Sequence, residues 1–71
     1  MFIKIVGMYH MDPTDDKYSS YWQKAGQYAF QFTSNKANAS KLTQEEVDNI
    51  LKYKKHYCQM YGASDMIVEA E

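Results

Sequence analysis

Residues 42–62, LTQEEVDNILKYKKHYCQMYG, constrain the fold more than any other stretch, because they carry the start signal, the inward stripe and the stop signal of a helix. Thr43 and Glu46 have the Thr-x-x-Glu spacing of a capping box, and Leu42 just before the cap can staple onto Val47. Glu45, Glu46 and Asp48 crowd the positive end of the helix dipole, while Lys54, Lys55 and His56 lie toward its negative end. Gly62 is placed for a left-handed C-terminal cap. Val47, Ile50, Leu51, Cys58 and Tyr61 recur at helical spacing and mark a core-facing stripe, which Lys54 interrupts. A one-sided helix needs a second layer to cover that stripe.

The remaining patterns supply strands. FIKIVGMY (residues 2–9) is short, β-branched and aromatic, with Ile3, Ile5 and Gly7 on one face and Phe2, Val6 and Met8 on the other. Apolar on both faces, it belongs in the middle of a sheet or under a partner. MDPTDD supplies turn chemistry and KYSSYWQK a second, irregular strand, with KAG (residues 24–26) as the next turn. In QYAFQFT (residues 27–33), Tyr28, Phe30 and Phe32 alternate against Gln27, Ala29, Gln31 and Thr33, the signature of a half-buried antiparallel strand. Ser34 can cap one or two helical turns carrying Ala37 and Leu42 inward. DMIVEAE closes the chain as an edge strand ended by charge. The expected fold is α+β: a small antiparallel sheet of three to four strands with one long C-terminal helix across one face, in the order β-β-β-α-β, as a single domain over residues 1–71.

At 71 residues the chain buries about 60% of its unfolded surface, so its stability is marginal. One cysteine forms no internal disulfide, which points to a reducing compartment. No apolar run approaches the ~18 residues of a membrane span, and MFIKIVGM lacks the features of a signal peptide, so the expected location is cytoplasmic. Nine acidic residues against eight basic ones leave a net charge of −1, too small to drive the chain toward nucleic acid. Every basic residue is lysine, whereas bidentate recognition of phosphate, guanine or carboxylate is mostly the work of arginine.

Three constellations invite a chemical reading. His10, Asp12, Asp15 and Asp16 are acceptable ligands for Mg²⁺, Mn²⁺ or Zn²⁺, but the EF-hand spacing is missing and aspartates favour turns for their own backbone bonds. They are expected to be structural, with no metal and no cofactor. Lys52, Lys54, Lys55 and His56 could follow a nucleic-acid backbone while Tyr57 stacks on bases. Residues 52, 55 and 56 point away from the core stripe, and Asp48 can pair with Lys52, so a solvated helix face with favourable dipole charges explains them without a ligand. His56 and Cys58, two apart on a helix, point in different directions and do not make a nucleophile with its base. No phosphate loop, Cys-x-x-Cys pair or Gly-x-Ser-x-Gly elbow occurs, so a metal-dependent catalyst ranks third.

The aromatic content is the residual signal: seven Tyr, three Phe and one Trp, with five Met. A small core cannot take in so many rings, and each buried tyrosine wants a partner for its hydroxyl. Tyr53 and Tyr57 with Met60 form a row flanking the core stripe, and Tyr9, Tyr18, Tyr21 and Trp22 come from the aspartate-rich stretch. Tyr, Trp and Met are enriched in interface cores. In size and pattern the chain resembles many small accessory proteins of bacteriophages and mobile elements. That resemblance implies a stand-alone protein that binds and inhibits a host or defence protein. The expectation is therefore a protein-binding module, either on a host partner or as a homodimer, with nucleic-acid binding through the lysine-rich helix face as the alternative.

Overall fold

The computed structural model describes residues 1–27 and 29–70. Four antiparallel strands, β1 (Phe2–Val6), β2 (Ser20–Lys24), β3 (Phe30–Thr33) and β4 (Asp65–Glu69), form one sheet in the order β3-β2-β1-β4. The doubly apolar β1 sits centrally, with Lys4 opposite Tyr21 on β2 and Ile5 opposite Met66 on β4. The β2–β3 hairpin places Trp22 opposite Phe32 and Lys24 opposite Phe30, and the Ala25 N–H donates to the Ala29 carbonyl at 3.0 Å to close it. Tyr28, expected to begin the inward alternation of the third strand, lies outside the described residues.

The single long helix of the sequence reading is two shorter ones, α1 (Gln44–Lys52) and α2 (Lys54–Tyr61), so the order is β-β-β-α-α-β. The break falls at Tyr53 (φ −107°, ψ 19°), whose N–H reaches the Ile50 carbonyl and tightens the last turn of α1. Both expected ends are present. Thr43 accepts from the Glu46 N–H while Glu46 accepts from the Thr43 N–H, and Gly62 adopts φ 58° at the far end. Between β3 and α1 the expected helical turns reduce to one 3-10 turn (Lys36–Asn38) capped by Asn35 in place of Ser34; Ala37 is exposed and only Leu42 goes inward.

The helices cover the face that carries Ile3, Ile5, Trp22 and Met66, and Leu42 and Val47 complete that core. Each such apolar side chain contributes about 1.5–3 kcal/mol when fully buried. Phe30 and Phe32 extend the core as a ring cluster: Phe30 stacks on Trp22 at 4.0 Å between centroids, and Phe32 meets Trp22 edge-on at 5.9 Å.

On the second face of β1, Phe2 is covered within the chain. Phe2 is only 8% exposed, because the connection between β3 and α1 crosses this face and sets the Lys36 ammonium 5.3 Å from the Phe2 ring centre. Glu69 fastens that crossing, accepting from the Tyr21 hydroxyl at 2.9 Å and from Lys36 Nζ at 3.0 Å. The connection then bonds to the start of β1, with the Leu42 N–H donating to the Met1 carbonyl at 2.7 Å.

Candidate functional site

The aspartate-rich stretch folds through its own carboxylates. Asp12 accepts from the Thr14 N–H at 2.9 Å and the Thr14 hydroxyl at 2.7 Å, bonds that hold its carboxyl below the usual range. Asp15 caps a single 3-10 turn (Asp16–Tyr18) by accepting from the Lys17 N–H, and Asp16 lies 3.6 Å from Lys4 Nζ. His10 is held elsewhere, its N–H donating to the Gly62 carbonyl at 2.6 Å. Among the described residues no group of three or more His, Cys, Asp or Glu side chains is gathered as a metal site.

Tyr9 and His10 both adopt φ 61°, a left-handed conformation that costs residues with a Cβ. Tyr9 nevertheless points its ring into solvent, at 65% exposure.

The aromatic candidates divide between core and surface. Trp22, expected at a partner's surface, is 6% exposed and lies at the centre of the ring cluster, so all it can offer another molecule is part of a cleft wall. Tyr57 is half-buried, edge-on to Trp22 and Phe30 at 5.4 Å from each. Tyr21 belongs to the opposite face of the sheet, tied to Glu69, and burial together with that bond raises its hydroxyl above the usual tyrosine range. Tyr18 is half-buried beside Lys17, whose ammonium is 5.4 Å from its ring centre. Tyr53 and Met60 are the exposed members on the helices, at 54% and 55%.

A cleft of about 330 Å³ opens between the β2–β3 hairpin and the helices. Trp22, Phe30, Leu42, Ile50 and Tyr57 supply its apolar lining. Lys24 and Glu46 also line it and form an ion pair, which, with the Thr43 N–H, depresses the Glu46 carboxyl. Asn49 and Gln27 add amides. The alternation of residues 27–33 pointed to Phe30 as an inward residue; no pattern in the sequence marked Asn49 or Glu46 as its neighbours. Tyr53, at the junction of α1 and α2, stays outside this lining and is exposed.

The lysine-rich face is only partly free. Lys54 pairs with Asp65 on β4 and faces the sheet. Lys52 rests 5.8 Å from the Tyr53 ring centre, while Lys55 and His56 are exposed. Asp48 accepts from Gln44 at 2.9 Å, and the expected Asp48–Lys52 pair is not formed among the described residues. Cys58 is half-buried, and burial followed by the charge of Asp65 raises its thiol above the usual range, against a role as a thiolate nucleophile.

Compared with models of known protein families, with curated proteins and with solved structures, the chain matches none of them. Among the described residues no helix is long and apolar enough to cross a membrane.

Proposed function

We propose that the protein is a small cytoplasmic binding module that acts by occupying the surface of another protein and performs no chemistry of its own. The observation that carries this reading is the exposure of Tyr53 and Met60 on the helices of a chain that also holds a ring-lined cleft whose charged groups already neutralise each other. Such a surface offers apolar area and a slot for a partner's side chain, which is how interface anchors bind. The likeness in style to phage accessory proteins adds the role: inhibition of a host or defence protein.

The second reading, nucleic-acid binding, draws on Lys52, Lys55 and His56, which face outward with no carboxylate partner among the described residues. Lys54 is removed from that set by Asp65. Salt separates the two. With the captured partner in hand, affinity should change little between 50 and 300 mM salt, on the order of twofold. A logarithmic salt slope near −2, about −0.9 for each phosphate neutralised by two lysines, would transfer the function to nucleic acid.

A further inference from the structure

We propose that the open edge of β3 pairs with the β3 of a second copy of this chain, making a two-fold dimer with one continuous sheet. The inference rests on the reading that the aromatic flank of the helices binds protein, and it names a second copy as the occupant of the β3 edge beside that flank.

The ladder determines what this edge offers. The Ala25 N–H bond to the Ala29 carbonyl sets the phase of the β2–β3 pairing, so Gln23 with Gln31 and Tyr21 with Thr33 exchange the backbone bonds. The other side of β2 confirms the phase, since the Trp22 carbonyl and the Lys24 N–H turn away from β3 toward Ser40. The N–H and C=O groups of Phe30 and Phe32 therefore face outward from the sheet. Among the described residues no backbone bond outside the ladder uses them.

Sheet edges are ordinarily protected from such pairing by charge, proline or a bulge. The two edges of this sheet differ in that respect. β4 carries Asp65 and Glu69, and antiparallel self-pairing centred on Ile67 would set Asp65 of one copy against Glu69 of the other. β3 reads Phe-Gln-Phe-Thr, with no charge and no proline. A two-fold axis at Gln31 brings Phe30 beside Phe32 of the second copy at both ends of the contact, in the phase where their outward groups bond to each other. No like charges meet in that register.

The helices support the same arrangement. Lys54 reaches β4, whereas Tyr57 and Tyr61 stand over Phe30 and Phe32, so the flank that carries Tyr53, His56 and Met60 lies on the β3 side. The axis at Gln31 sets the two flanks side by side, so that exposed Tyr53 and Met60 of both copies lie along one surface.

Sedimentation of the full chain over a dilution series, with Gln31→Lys and Gln31→Glu, tests the proposal. Gln31 is exposed and, among the described residues, its side chain bonds only Gln23, so both variants should fold, which thermal unfolding checks. Wild-type protein should sediment at twice its 8.3 kDa chain mass. Each variant alone should weaken the dimer about fivefold, because Gln31 faces its own symmetry mate, and an equimolar mixture of the two should restore it. Ile67→Lys on the β4 edge should leave the dimer unchanged. A wild-type chain that stays at 8.3 kDa at every concentration, a dimer that both variants leave intact, or a loss that mixing does not repair would each overturn the proposal. If the wild type is monomeric and Tyr53→Ala with Met60→Ala still abolishes capture of a different protein, the dimer falls and the binding surface stands. If capture is also unaffected, both fall.

Discussion

Replacing Tyr9 with glycine should make the protein more stable, although it deletes an aromatic ring. Tyr9 holds φ 61° and ψ 30°, where a residue with a Cβ costs about 1–2 kcal/mol and glycine costs almost nothing. Its ring is 65% exposed and forfeits little packing when removed. Against that gain stands the greater freedom of glycine in the unfolded chain, about 0.4–1 kcal/mol. The balance is a stabilisation of about 0.5–1 kcal/mol, which for a domain of this size raises Tm by about 2–8 °C. Thermal unfolding followed by circular dichroism measures it directly. The backbone path is held from outside by the bond from the His10 N–H to the Gly62 carbonyl, so it should survive the substitution. A fall in Tm would refute the reasoning, for it would mean that the Tyr9 ring supports the fold. A rise would show a strained residue retained for something other than stability, as expected of a binding group.

Two further outcomes follow from the geometry of the helix start and the ion pairs. Thr43→Ala removes one arm of the capping box and should cost about 1 kcal/mol, a Tm loss of about 4–8 °C, readable in the same melting experiment. Lys24, Lys54 and Lys36 lower the carboxyls of Glu46, Asp65 and Glu69, so the folded chain binds these protons less readily than the unfolded one. Their contribution is present above the ordinary carboxylate range and is lost as pH falls through it, so Tm should decline below about pH 4, with a smaller decline in high salt.

The sequence made the local signals of the fold readable and left its long-range coverings hidden. Thr43, Glu46 and Gly62 mark their helix ends because capping is a matter of neighbours a few residues apart. Phe30 and Phe32 were readable as inward residues because alternation along a strand is equally local. The break at Tyr53 was not, since KYKKHY contains neither Gly nor Pro; it resets the helical phase so that Tyr57 packs on Trp22 and Phe30 while Tyr53 stays outside. The cover over Phe2 was hidden for a related reason. It depends on Lys36 meeting Glu69 across 33 positions of sequence, a pairing no periodicity announces. At the candidate site the same limit separated Tyr53 and Met60 from Trp22. Composition shows that there are more rings than a small core can hold, but only packing decides which of them remain outside.

The central claim is that Tyr53 and Met60 serve binding and not folding, and the direct test is to measure thermal unfolding and partner capture on the same samples of Tyr53→Ala with Met60→Ala, beside Trp22→Ala. Both residues of the double variant are more than half exposed, so its unfolding should shift by no more than about 0.5 kcal/mol per site, while Trp22→Ala should lose about 3–5 kcal/mol and little of it should remain folded. Capture by the double variant should weaken by about 2 kcal/mol or more, roughly thirtyfold. A double variant that folds and captures its partner as well as the wild type would contradict the account.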